Sequence, residues 1–216
     1  MPSAEYARLV LRRLSKRYGY GIHTQLRHRN MTHLFVAVLL SPQSTDVQTN
    51  KTTQMLFRRF HTFKDYAHAD PATLRRYLRG MNYYKTKARH LRKSARMIVE
   101  RFHGRIPKTL DEMMELPGVG RKVANVVLNE GYGINEGIAV DTHAGRVARR
   151  LGFSRSRDPY KTEMALLRTY PKRDWGRISN TLIELGRDTC KARNRECGRC
   201  VLKDICPSSY VKPNKS

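Results

Sequence analysis

The 216-residue chain has no apolar run much longer than Phe35 to Leu40, whereas a membrane-spanning helix needs about 20 such residues. That argues against a membrane partner. No charged-then-apolar leader opens the chain, so no export and a cytoplasmic, reducing home are expected. Acidic residues are scarce: 18 Asp and Glu stand against 43 Lys and Arg, for a formal net charge of +25. The excess runs the whole length instead of sitting in a tail. It predicts a polyanionic partner, nucleic acid ahead of an anionic membrane surface. Cysteine is absent until Cys190, Cys197, Cys200 and Cys206. In a reducing compartment such a cluster reads as a metal site before it reads as two disulfides. Repeats, low-complexity linkers and convincing runs of alternating polarity are also missing. This points to an all-α protein, built as one large domain or two small lobes.

Apolar spacing places the helices. Residues 4–18 carry Tyr6, Leu9, Val10 and Leu14 on one side and end at Gly19-Tyr20-Gly21. His33 to Leu40 is too uniformly apolar for a half-exposed strand. Ser41-Pro42-Gln43-Ser44-Thr45-Asp46 forms a polar turn that caps the next helix, marked by Val47, Met55, Leu56 and Phe60. Asp70-Pro71 opens a helix to about Leu78, with a capping side chain before a first-turn proline. After the break at Gly80 to Tyr84, Lys85 to Phe102 resumes with Ala88, Leu91, Ala95, Ile98 and Val99 at helical spacing. Gly131 to Gly137 is a loop, and Ile138-Ala139-Val140 then leads into Asp141-Thr142-His143 and a helix through Leu151. Tyr160 to Tyr170 and Asp174 to Gly186 are two further amphipathic helices.

The stretch Leu116 to Asn125 reads as a tight turn between two short helices. Thr109 and Glu112 have the spacing of a capping box. Pro117 stops the first helix. Gly118 and Gly120 allow positive φ and close approach to another molecule. The unpaired first N–H groups of the second helix make an anion site, most simply for a phosphate. Lys122 lies in that first turn. A lysine amine can attack an electrophilic sugar carbon and form a Schiff base; the plainer alternative is one more phosphate contact. Asp141 is placed as a routine N-cap, and a carboxylate there could also stabilise a cationic sugar or move protons.

The cysteines are spaced x6, x2 and x5. Four soft ligands in a short loop suit zinc or an iron–sulfur cluster. Spacing leaves the metal open and leans to iron–sulfur, since a zinc ribbon usually presents two close pairs. Lys191, Arg193, Arg195 and Arg199 in the same stretch suit either solvated surface or a phosphate-binding loop.

Together, Leu39 to Asp46, Leu116 to Lys122, Val140 to His143 and the four-cysteine spacing resemble the endonuclease III branch of the helix–hairpin–helix DNA glycosylases, over nearly the whole chain. The resemblance implies a two-lobed fold: a six-helix lobe at 22–134 containing the hairpin at 108–130, and a discontinuous lobe of 1–21 and 135–216 with a cluster loop at 190–206. The DNA cleft would lie between them. It implies a bifunctional DNA glycosylase and AP lyase removing damaged, oxidised pyrimidines, with Lys122 as Schiff-base nucleophile and Asp141 as essential carboxylate. The cysteines would hold a [4Fe–4S] cluster in preference to zinc. Gln43 and Tyr83 would fill the gap left by a flipped nucleotide, and His143 would lie near the same pocket. Gly118, Val119, Gly120 and Arg121 would anchor the DNA backbone, joined by Lys191 and Arg193.

The implied partner is double-stranded DNA with damaged bases or abasic sites, bound by a monomer in the cytoplasm at the nucleoid. Three departures from the family pattern are Pro42 for a common alanine, Asn82 for a common glycine, and Tyr83 for the usual leucine or phenylalanine. Asparagine also tolerates positive φ, so the turn at 82 can survive. Two rivals remain: a mismatch-specific thymine or uracil glycosylase, whose relatives often carry tyrosine at the position of Lys122, and a DNA-binding protein without catalysis.

Overall fold

The computed structural model describes residues 2–19 and 24–211, and all regular structure among them is helical. Tyr20 and Gly21 of the turn expected after the first helix, and the expected lobe boundary at 21/22, lie outside the described residues. The chain divides into two compact units. One is Thr24–Ile134; the other joins the described parts of Met1–His23 and Asn135–Ser216.

Helix α1 (Ala4–Tyr18) belongs to the discontinuous unit. The continuous unit holds α2 (Met31–Leu40), α3 (Asp46–Arg59), α4 (Phe63–His68), α5 (Pro71–Leu78), α6 (Tyr84–Arg101), α7 (Leu110–Glu115) and α8 (Arg121–Tyr132). α2 is its axis. Every residue from His33 to Leu40 is buried, and the helix packs on α3, α6 and α8. A helix apolar on all sides must be enclosed on all sides, and each large side chain buried this way contributes about 1.5–3 kcal/mol as an upper estimate. α6 is the amphipathic counterpart: Lys87, Ala88, Leu91, Ser94, Ala95 and Ile98 face inward at helical spacing.

α4 is the helix that apolar spacing does not announce. It is six residues long and opens with a full capping box, in which Thr62 and Asp65 satisfy each other's main-chain N–H.

The discontinuous unit adds α9 (Thr142–Arg150), α10 (Pro159–Thr169) and α11 (Trp175–Asp188), followed by the irregular cysteine loop. Its core joins Val10 and Leu14 of α1 to Ile138, Val147, Leu151, Ile178, Leu182 and Leu202. Two tyrosines bridge the sequence gap by pairing their polar tips: Tyr6 donates to the Leu151 carbonyl at 3.1 Å and Tyr170 to that of Ala7 at 3.2 Å. Arg13 adds an ion pair to Asp204 and donates to the Val201 carbonyl at 3.1 Å. α1 thus holds residues that lie more than 180 positions further along the chain.

Candidate active site and nucleic-acid interface

The hairpin joins α7 to α8 through a turn fixed from both sides. Val119 N–H donates to the Leu116 carbonyl at 3.0 Å. From α6, Ser94 Oγ donates to the Pro117 carbonyl at 2.6 Å. Gly118 has φ +84°, a conformation that favours glycine. Gly120 differs from expectation: its φ is −93°, ordinary extended backbone, and it serves as N-cap of α8 without a side-chain cap bond. A Cβ built on Gly120 would meet nothing within 4 Å. The fold therefore does not require glycine there, and bare backbone is presented at the head of a twelve-residue helix.

Val119 lies between the two glycines. Its side chain is 6% exposed and belongs to the core, so a β-branched residue here fills space under the turn. Only its main chain can meet an external ligand. Lys122 is exposed and Arg121 half-buried, both in the first turn of α8.

Gln43 and Tyr83, both exposed, are brought together in the continuous unit. Both non-glycine residues sit in the left-handed region, at φ +58° and +55°. The positive φ expected of Asn82 falls instead on Tyr83. Asn82 uses its side chain differently, Nδ2 donating to the Gln43 carbonyl at 2.8 Å. Lys87 Nζ donates to Ser44 Oγ at 2.8 Å. Lys87 is 8% exposed, and burial pushes its pKa down to about 8. Nothing in the sequence marks Lys87 beyond its place on the apolar face of α6.

Asp141 belongs to the other unit. Its Oδ1 caps α9 by accepting from Ala144 N–H at 2.8 Å. The preceding Ile138, Ala139 and Val140 are buried. Ser179 Oγ donates to the Ala139 carbonyl at 2.9 Å and Ile138 N–H to Glu163 at 3.2 Å. His143 follows on the first turn of α9, its Nδ1 3.2 Å from an Arg146 guanidinium nitrogen.

Arg146 and Arg150 tie α9 to the cysteine loop, and sequence reading did not mark them. One turn apart on α9, both reach into the cysteine loop. Arg146 donates to the Gly186 carbonyl at 2.7 Å and the Cys190 carbonyl at 3.1 Å; burial, then the charge of Arg150, pulls its pKa below the ordinary arginine value. Arg150 donates to the carbonyls of Cys190, Lys191 and Ala192, and one of its N–H groups lies 3.2 Å from Cys190 Sγ. The signal was present as two arginines at i and i+4 behind an Asp-capped helix start, but in so basic a chain it does not stand out.

Cys190, Cys197, Cys200 and Cys206 all line one pocket, with Val147, Leu151 and Leu185 behind them. Leu202 N–H points at Cys200 Sγ at 3.5 Å. Burial, followed by the neighbouring cysteines, pushes the Cys200 and Cys206 thiols up. Four sulfurs around one pocket, two of them facing N–H donors, make a set suited to thiolate ligation of a soft metal centre. Among the described residues, no three His, Cys, Asp or Glu side chains already converge as ligands of a single ion.

Lys191 is exposed and pairs with Glu196 at 2.7 Å, which also takes Arg199 at 2.6 Å. Arg195 donates to the Ser208 carbonyl at 2.9 Å. Arg193 is exposed beside Asn194, whose φ is +53°.

Comparison with known proteins fixes the class. Residues 36–172 match the model of the HhH-GPD superfamily of base excision DNA repair proteins. Endonuclease III of Synechocystis sp. is 38% identical over 202 residues, covering 94% of this chain and 92% of the relative. That of Treponema pallidum is 41% identical over 187 residues, covering 87% and 88%. A solved structure of a trapped endonuclease III–DNA covalent intermediate is similar at a TM-score of 0.89 and 38% identity, covering 96% of this chain and 97% of the other. A thermostable thymine-DNA glycosylase shares the fold, at a TM-score of 0.82 and 17% identity, over 94% of this chain and 96% of that one. The chain belongs to the endonuclease III family of the HhH-GPD superfamily. It is a DNA glycosylase and AP lyase of base-excision repair.

Proposed function

We propose that this enzyme removes oxidised pyrimidines from duplex DNA and cleaves the strand through a Schiff base on Lys122. The observation that carries the reading is the hairpin itself: Lys122 is exposed two residues after Gly120, where open backbone begins α8. A phosphate taken by the amides around Gly118 and Gly120 would bring the adjoining sugar to the lysine.

The proposed reaction starts with extrusion of the damaged nucleotide, whose space in the stack Gln43 and Tyr83 fill. The neutral Lys122 amine attacks the anomeric carbon, the glycosidic bond breaks, and the base leaves with the bonding pair and takes up a proton. Asp141 stabilises the positive charge that develops on the sugar. The adduct nitrogen loses a proton, the C1′–O4′ ring bond breaks with its electron pair going to O4′, which takes up a proton, and the protonated Schiff base forms. Removal of a C2′ proton follows, and the bond to the 3′ phosphate oxygen breaks. Arg121, Arg193 and Lys191 neutralise backbone phosphates, and His143 lies near the base pocket.

Cys190, Cys197, Cys200 and Cys206 are proposed as ligands of a [4Fe–4S] cluster. When bound, it would organise the basic loop for DNA contact. The protein is proposed to act as a monomer at the nucleoid. Among the described residues no helix is long and apolar enough to cross a membrane.

Borohydride reduction during turnover on lesion-containing duplex should trap a covalent protein–DNA adduct, and Lys122→Ala should abolish both adduct and nicking. A Lys122→Ala protein that still traps and nicks would sink the assignment. Base release without strand cleavage by the wild type would favour the mismatch-type, monofunctional chemistry.

A further inference from the structure

Gln43 and Tyr83 sit on separate loops, one between α2 and α3 and one leading into α6. Two side chains tie those loops. Asn82 Nδ2 holds the Gln43 carbonyl at 2.8 Å, and Lys87 Nζ holds the hydroxyl of the next residue, Ser44, at 2.8 Å. Left-handed conformations at non-glycine residues persist where the surroundings over-determine them. Here both exposed residues adopt one, and the two bonds are part of the surroundings that hold them.

Lys87 is a costly choice for this task. It lies on the inward face of α6 with Ala88, Leu91 and Ala95. Among the described residues no carboxylate compensates its charge. A buried uncompensated cation works against folding, and an apolar side chain of similar length would pack there at less cost. Its hydrogen bond goes to the loop carrying Gln43. The other bond comes from the Asn82 side-chain amide, which a residue without a side chain could not supply.

We propose that Asn82 and Lys87 form a two-point strap that holds Gln43 and Tyr83 as one preorganised insertion unit, making both straps positioning residues for lesion recognition. This rests on the reading that Gln43 and Tyr83 fill the space of the extruded nucleotide. A unit already in its inserted shape does not lose conformational freedom when the duplex opens, so the strap lowers the cost of extrusion. It does nothing for the sugar chemistry that follows.

The test uses the full-length, cluster-loaded enzyme and a duplex carrying one oxidised pyrimidine with 2-aminopurine opposite it, whose fluorescence rises on unstacking. Lys87→Met and Asn82→Gly should each lower the fluorescence amplitude and slow single-turnover excision. The loss expected for Lys87→Met is about tenfold, in line with one hydrogen bond from a charged donor. Cleavage of a preformed abasic site, with no base left to unstack, should change by less than about threefold. Melting of Lys87→Met should not fall below wild type, because the buried charge has gone. Ser44→Ala added to Lys87→Met should cost nothing further, since both remove the same bond.

Wild-type amplitude and excision in both Lys87→Met and Asn82→Gly would overturn the strap. So would additive losses in the Ser44 double variant, or parallel loss of melting temperature and abasic-site cleavage in Lys87→Met. Asn82→Gly, on an exposed turn, keeps the test open should Lys87→Met fail to fold. Gln43→Ala separates the two levels. If it leaves excision intact, the insertion reading itself fails; if it impairs excision while both strap variants behave as wild type, only the strap fails.

Discussion

The imidazole of His90 occupies the place that a Cβ on Gly118 would need: the added atom would lie 2.6 Å from Nδ1 and 2.9 Å from both Cβ and Cγ of the histidine. Gly118 is thus required twice, by its φ of +84° and by the ring beneath it. Gly120, two residues on, is required by neither. Gly118→Ala should destabilise the protein by about 2 kcal/mol or more, combining left-handed strain with overpacking. Removing the ring with His90→Ala should restore only part of this, since the strain remains. Gly120→Ala should melt within about 0.5 kcal/mol of wild type, yet bind lesion DNA more weakly if backbone approaches there. Thermal melts paired with binding titrations at one fixed salt concentration separate the two glycines.

Helix α11 carries the second close approach. A Cβ on Gly186 would lie 2.8 Å from His143 Cβ and 3.2 Å from its Cα and carbonyl oxygen. Main-chain atoms cannot swing aside as a flexible side chain can. In an unencumbered helix, glycine to alanine stabilises by about 1 kcal/mol. Here the sign should reverse, with Gly186→Ala costing about 1–3 kcal/mol from overpacking. The variant should also lose glycosylase and lyase activity together, because the displaced backbone is the first turn of α9, which Asp141 caps. A Gly186→Ala protein more stable than wild type would contradict the packing described.

Much of this was legible in the sequence, for reasons that differ by residue. Helix limits were readable where a cap or an apolar stripe marks them, as Asp70-Pro71 marks the start of α5 and the stripe from Ala88 to Ile98 marks α6, because both are local properties of the chain. α4 was hidden: six residues carry too little periodicity to stand out, and its stability comes from Thr62 and Asp65 together with burial of Phe63, Tyr66 and Ala67. The hairpin glycines looked equivalent in sequence and are not, since what distinguishes them is His90, a contact made across 28 positions. The same limit hid Lys87, Arg146 and Arg150. Their partners, Ser44, Gly186 and the carbonyls of 190–192, are 40 or more residues away. In a chain with 43 basic residues, no composition signal picks out these three.

Acid stability should depend on Asp65. Burial alone would raise its pKa, but N–H groups of His61 at 2.7 Å and Thr62 at 2.8 Å favour the carboxylate and hold it below the usual 3.8. Because the folded value is the lower one, the unfolded chain binds the proton more readily. The stabilisation is present above the unfolded value and is lost as pH falls through the folded one. Asp65→Asn should therefore cost about 0.5–2 kcal/mol at pH 7, as a lost cap does. The gap to wild type should close on acidification below about pH 4. Denaturant unfolding of both proteins at several pH values checks it; a gap that widens in acid would show that Asp65 is not the group responsible.

The cysteine loop offers a contrast between a residue that shapes it and one that faces outward. Arg150 bonds to three successive carbonyls, those of Cys190, Lys191 and Ala192, and lies beside Cys190 Sγ. Arg193 is exposed just beyond them. Arg150→Met keeps the length of the stem and removes the fork, leaving three carbonyls to find water and the loop to find its own path. If the four cysteines hold an iron–sulfur cluster, purified Arg150→Met should carry less iron per chain and bleach faster in air, since guanidinium donation to a ligand sulfur supports the thiolate. Its DNA affinity should fall at every salt concentration, because a disordered loop must be re-formed on binding. Arg193→Ala should leave iron content unchanged and reduce the slope of log affinity against log salt by about one, the signature of a single phosphate contact. Iron analysis and a salt titration on the two variants distinguish shaping from contact. Unchanged iron in Arg150→Met, or an unchanged slope in Arg193→Ala, would remove that residue from the role given to it.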